Sequence, residues 1–175
     1  MPKERDLLPD VRKDTFDHFE DESVAVHAIE QVTAQARRTN AMFSLILCDI
    51  DHFTSINALY GRAAGDSLLL QLFVRICDLV PVEDVIWESA RADLLVVARN
   101  CDSAQAYNLA QAIRHRVADR LFQVGHHPVM MTVSLGTQTF LPTTEVSASV
   151  LLDLVEEQLE AGKESGPDTV SPTIN

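Results

Sequence analysis

The sequence is short of positive charge. Its 14 Lys and Arg stand against 26 Asp and Glu, a formal net charge of -12. That balance excludes a broad nucleic-acid surface, which needs cations against the phosphates, and it opposes contact with an anionic membrane. A single nucleotide stays compatible, because a small site can carry its own local field. No apolar run reaches the ~18 residues needed to span a bilayer. The opening residues, MPKERDLLPDVRKD, contain no apolar segment of the kind that begins a secretory signal. A cytoplasmic protein with no membrane partner is therefore expected. Cysteine is scarce and odd in number. Cys48, Cys77 and Cys101 lack metal-ligand spacing and sit in or beside apolar segments, so they read as buried free thiols. GxGxxG and GxxxxGK[ST] are both missing, which removes the common phosphate-cradling loops.

What is present is a chain of 175 residues, 46% apolar, enough for one domain with a real core. Residues 1–20 read as a polar arm. Periodicity predicts a helix over 21–39, capped by Asp21 or Ser23, with Val24, Ile29, Val32 and Ala36 on one stripe. Residues 42–49 form an apolar run, a strand buried on both faces. A short helix over 52–60 is closed by Gly61, and a second, over 66–80, starts at Asp66 and stops before Pro81. Residues 84–89 and 93–99 read as strands around the turn Ala90-Arg91-Ala92. A helix over 102–119 has Ser103 as its cap. Residues 122–140 read as a hairpin with Gly125 in the turn and a second strand over 129–136, and 146–162 as a last helix. The tail, 165–175, reads as disordered. This order predicts one mainly antiparallel sheet with helices on its faces, an α+β arrangement.

The chemistry concentrates at SLILCDIDHFTSINALYGRAAGD, residues 44–66. An apolar strand ends in two acids, Asp49 and Asp51. Hard cations such as Mg²⁺ take carboxylate and carbonyl oxygens at such strand ends. The plain alternative is that Asp51 caps the helix beginning near His52 and Asp49 is a solvated charge. The exposed acids Glu156, Glu157 and Glu160 read as a solvated helix face. His126-His127 reads as a solvated turn.

Asp49-Ile50-Asp51-His52-Phe53, then Ser55-Ile56-Asn57, Tyr60-Gly61-Arg62 and Gly65-Asp66 with Leu68 and Leu69, resemble in order and without gaps the first half of the GGDEF domain, the catalytic domain of diguanylate cyclases. Thr132-Val133-Ser134-Leu135-Gly136 and Lys163-Glu164-Ser165-Gly166 continue the likeness, which covers about residues 14–168. The resemblance implies a central five-stranded sheet ringed by helices, related to adenylyl cyclase domains, with the domain over 21–164. It places Asp49 and the carbonyl of Ile50 at metal-ligand positions. It places Asn57 and Asp66 where guanine is hydrogen-bonded, an acceptor and donor set suited to that base, and Lys163 where a phosphate is contacted. GTP and Mg²⁺ are the ligands so implied.

Departures from the family's pattern qualify this. The name-giving Gly-Gly-Asp/Glu-Glu-Phe is here Ala90-Arg91-Ala92-Asp93-Leu94. Both glycines, which let backbone approach a triphosphate, are replaced, and the metal-binding third position is Ala92. Asp93 keeps an acid at the fourth position, and strand alternation is expected to turn it to the other face. An inhibitory arginine-x-x-aspartate site reads Pro81-Val82-Glu83-Asp84, so cyclic di-GMP is not expected there. The early part of the family pattern survives only as Asp14, Phe16 and Phe19. The expectation is a catalytically inactive, degenerate domain that acts as a regulatory or protein-interaction module with a signalling protein as partner, holding GTP weakly and Mg²⁺ weakly if at all. The competing readings are an active cyclase with Asp93 repositioned, and a protein-binding scaffold without nucleotide.

Overall fold

The computed structural model describes residues 23–81, 84–88 and 93–172. The polar arm, Asp21 as a cap, the residues Asp14, Phe16 and Phe19, and the Ala90-Arg91-Ala92 turn all lie outside the described residues. Helix α1 (Ser23–Thr39) leads into strand β1 (Phe43–Ile50), then α2 (Phe53–Tyr60) and α3 (Arg62–Cys77). Strands β2 (Val85–Glu88) and β3 (Asp93–Arg99) follow, then α4 (Ser103–Ala118). Strands β4 (Phe122–Val124), β5 (His127–Val129) and β6 (Val133–Phe140) precede α5 (Ala148–Lys163) and the short β7 (Val170–Ser171). No helix among the described residues is long and apolar enough to cross a membrane.

The expected α+β sheet is there: five strands in the order β2-β3-β1-β6-β7. β1 pairs antiparallel with both β3 and β6, and only β6 and β7 run parallel. The central β1 is buried along nearly its whole length, which its continuous apolar run requires of a strand covered on both faces. Alternation splits its side chains between two cores. Ile46 and Cys48 pack under α3 and α4 with Leu72 and Ile113. Leu45 and Leu47 pack under α1 and α5 with Ile29 and Val155.

Several expected boundaries are corrected. The long hairpin over 122–140 is two units. β4 and β5 form a separate two-stranded ribbon around Gly125, while β6 crosses into the main sheet beside β1. The fifth strand is instead β7, so 165–172 is ordered rather than a disordered tail. Leu135 N–H donates to the Thr169 carbonyl, Thr137 Oγ1 donates to the Ser171 carbonyl, and Val170 is buried against β6. Helix α3 begins at Arg62, four residues before Asp66, because Gly61 reverses the chain in one residue at φ 87° and its carbonyl accepts the first helical N–H groups. Helix α4 is capped by Asp102 rather than Ser103, through a capping box with Gln105.

Candidate functional site

Strand register decides which acids meet. β1 and β3 pair Leu47 with Leu95 and Cys48 with Leu94, and the same register continued sets Asp49 opposite Asp93. Asp93 has the parity of Leu95 and Val97, which face the α1–α5 core, and Asp49 has the parity of Leu47 on the same side. The expectation that Asp93 turns to the other face is thereby corrected. Both acids line one cavity of about 260 Å³ with Leu47, Glu156, Leu159, Glu160 and Lys163. Leu94 is fully buried on the opposite face. Ile50, the other expected metal-ligand position, pairs with Val133 and buries its side chain in the α3–α4 core.

Helix α5 supplies the other wall. Glu156, Glu160 and Lys163 are spaced by four and three residues and so share a face. Glu160 is 71% exposed and Glu157 is exposed too, so the expected solvated face is there, while Glu156 is half-buried. Lys163 Nζ lies 2.6 Å from Asp49 Oδ2 and 2.9 Å from Glu160 Oε1. Burial disfavours this ammonium, but the hydrogen bonds and charges of Asp49 and Glu160 outweigh it and hold it above the ordinary lysine value. Cys48, beneath the acids, is shifted well upward by burial first and then by the charges of Asp49, Asp93 and Asp51.

Asp51 is neither a helix cap nor a free ligand. The helix begins after His52, in the left-handed region at φ 58° with no side-chain cap. The Asp51 carboxylate instead accepts from Thr132 Oγ1 at 2.6 Å, Ser134 Oγ at 2.7 Å and the Asp168 backbone N–H at 2.9 Å. It ties the exit of β1 to the entry of β6 and to the segment before β7. Arg114 holds the same segment through an ion pair of 2.9 Å to Asp168.

Asn57 and Asp66 sit on the α2–α3 pair. Asn57 Oδ1 is buried and has no hydrogen-bond partner among the described residues. It lies over Gly65, whose missing Cβ makes the room. Asp66, next along α3, is exposed. A buried acceptor without a donor costs about 1–3 kcal/mol. Asp84, the remaining acid of the inhibitory pattern, is ion-paired to Arg99.

Mg²⁺ is the metal that the resemblance implies. Among the described residues the donor set for it is incomplete. Asp49 is bound to an ammonium, Asp51 is committed to three protein donors, and no group of three or more His, Cys, Asp or Glu among the described residues is placed to hold a metal ion. Mg²⁺ demands near-octahedral oxygen ligation.

Residues 14–169 match the family model described as "Diguanylate cyclase, GGDEF domain". The uncharacterized protein YhcK of Bacillus subtilis is 31% identical over 129 residues, 73% of this chain and 36% of that protein, so the chain spans about a third of that relative's length. Among solved structures, the active GGEEF domain of a diguanylate cyclase from Vibrio cholerae superimposes with a TM-score of 0.75 at 19% identity, covering 90% of this chain and 100% of that one. Diguanylate cyclase SiaD of Pseudomonas aeruginosa, solved in complex with its activator SiaC, superimposes with a TM-score of 0.77 at 17% identity, covering 87% of this chain and 61% of that one.

Proposed function

The chain belongs to the GGDEF-domain family of diguanylate cyclases, and from that premise we propose that it is a catalytically inactive member that serves cyclic di-GMP signalling as a guanine-responsive, protein-binding module. The observation that carries this reading is Ala92 at the family's third, metal-binding position, with Ala90 and Arg91 in place of both glycines. Phosphoryl transfer to a 3′-hydroxyl rests on metal charge to activate the nucleophile and stabilise the leaving group, and the strand-end carboxylate that remains, Asp49, is paired with Lys163 at 2.6 Å.

The base end of the site supports retained guanine recognition. Asn57 Oδ1 has a vacancy for an N–H donor, and the exposed Asp66 carboxylate can accept from guanine N1–H and the 2-amino group. Adenine lacks that donor pair. The partner is proposed to be another signalling protein, as SiaD is solved with an activator. One observation favours a second reading, an active cyclase: Asp93 lies on the same cavity as Asp49.

Isothermal calorimetry with GTP, with and without Mg²⁺, tests the binding reading. The expected result is weak GTP binding that ATP does not compete away, that Mg²⁺ does not strengthen, and that Asn57→Ala abolishes. Equal binding of ATP, or no loss in Asn57→Ala, places recognition elsewhere.

A further inference from the structure

We infer that the outward face of the β4–β5 ribbon is a docking surface, and that its partner is an acidic protein segment carrying apolar side chains among its carboxylates. The inference rests on reading the chain as a protein-binding module, and it names the surface and the chemistry of what binds there. In the ribbon Phe122 pairs with Val129 and Gln123 with Pro128. Phe122 and Val129 are buried in the α3–α4 core. Alternation turns the neighbouring pairs outward, and the same register continued sets Leu121 opposite Met130. These two are 52% and 75% exposed, and Pro128 beside them is exposed as well. The ribbon is held firmly from below. Arg75 of α3 sets its guanidinium 3.5 Å from the centre of the Phe122 ring and donates to the carbonyls of Val117, Arg120 and Leu121. Gln71, one turn earlier, donates to the Gln123 carbonyl at 2.8 Å and accepts from the Gln123 N–H at 2.9 Å. It thereby takes both positions that a further strand would use along this part of β4, so a partner meets the face of the ribbon. A surface already held in place gives up little freedom on binding.

Charge identifies the partner. The chain has 26 acids, yet none lies between Asp119 and Glu145, the stretch that contains the whole ribbon. Arg120 is exposed at its entry, and neither Arg120 nor Arg75 makes an ion pair among the described residues. Burial and then the charge of Arg120 lower the Arg75 value, so the two guanidiniums lie within electrostatic reach and a carboxylate brought between them relieves both. Asp119, beside Arg120 in sequence, offsets one of the two charges at most, and Asp78 is paired with Arg116. The rest of a chain of net charge -12 repels an acidic segment, so the attraction is local to this patch. A short segment can meet the patch alone. An anionic membrane would face the surrounding acids at the same time, because charges act over about 8 Å at physiological salt. Methionine and arginine are also the residues that protein interfaces favour, and lysine and glutamate those they avoid.

The probe is a fluorescein-labelled synthetic peptide of glutamates interrupted by leucines, followed by fluorescence anisotropy with the full chain and no nucleotide. Wild type is expected to bind it, more weakly as salt rises. Leu121→Ser with Met130→Ser, and separately Arg120→Glu, are expected to weaken binding about tenfold or more, as the loss of a central anchor does. Leu141→Ser, which removes an equally exposed leucine from another surface (58% exposed), is expected to change nothing. No binding by wild type overturns the inference, as does binding unchanged in the ribbon variants, or equal binding of the same peptide with serine in place of leucine. Two further arms decide between occupants. Binding to phosphatidylglycerol vesicles that the ribbon variants lose, or a dimer in sedimentation equilibrium that they dissolve, would assign the face to a membrane or to a second copy and overturn the inference. Should the double variant fail to fold, the Met130 methyl resonance of wild type decides: a saturable shift on adding the peptide is expected, and its absence overturns the inference. Because GTP is absent throughout, a failure here leaves the guanine reading at Asn57 and the inactivity of the domain to their own tests.

Discussion

Gly65 and Asn57 occupy each other's space: a Cβ built on Gly65 would overlap Asn57 Oδ1 and press on the Phe53 ring. Glycine is required here for close approach, not for an unusual backbone angle. The clashing atom is the end of a flexible side chain, so Gly65→Ala can be accommodated by swinging the Asn57 amide away. The expected result is a melting temperature within a few degrees of wild type and loss of calorimetric GTP binding. Unchanged GTP affinity with a displaced Asn57 would show that this amide does not read the base.

Gly136 is a different case. An added Cβ would come within 2.5 Å of the Leu159 backbone nitrogen and 2.7 Å of the Val155 carbonyl oxygen. Here the obstacle is the α5 backbone, which cannot swing aside. Gly136→Ala is expected to destabilise by roughly 1–3 kcal/mol, the usual cost of overpacking, measured by urea unfolding. A neutral effect would mean that α5 is not seated on β6 as described.

Asp51 holds three donors from two separated segments. Asp51→Ala leaves two hydroxyls and a backbone N–H without their acceptor. A loss of about 2 kcal/mol or more is expected from charge-assisted bonds of this kind. Hydrogen exchange should speed up at the Leu135 amide, which bonds the Thr169 carbonyl beside Asp168. Exchange confined to residues 51–53 would contradict the link to the C-terminal segment.

Lys163 has a folded value raised above 10.5 because Asp49 and Glu160 outweigh burial. A raised value means that its contribution is complete below the unfolded value and is lost as pH climbs through the folded one. The stability difference between wild type and Lys163→Met should therefore be flat from pH 7 to about 10 and shrink above it, given an unfolded lysine near 10.4. Unfolding curves at stepped pH measure this. A difference that grows with pH would contradict the ion pair.

The fold was largely legible because its signals are local. The apolar run of β1, the Tyr60-Gly61 break and the periodic stripes of α1, α4 and α5 each announce one element. What escaped was non-local. Val170–Ser171 is too short to carry a strand pattern of its own and becomes β7 only because β6 offers an edge. The 122–140 segment alternates well enough to look like one hairpin, yet Val133 onward pairs with β1, more than eighty residues earlier. The candidate site residues are named by their motif alone. The partners of Asp49 depend on register: Asp93 faces it through the β1–β3 pairing, and Glu160 reaches it only through Lys163. In sequence Asp51 reads as a cap, because the donors to its carboxylate lie 81, 83 and 117 residues away.

Incubation of the purified chain overnight with GTP and Mg²⁺ or Mn²⁺, followed by chromatography of the nucleotides beside an active diguanylate cyclase run in parallel, tests the central claim most directly. GTP is expected to be recovered unchanged, with no cyclic di-GMP, because the family's third-position acid is Ala92 and both glycines are replaced. Clear cyclic di-GMP at ordinary enzyme concentration, abolished by Asp49→Asn, would contradict it.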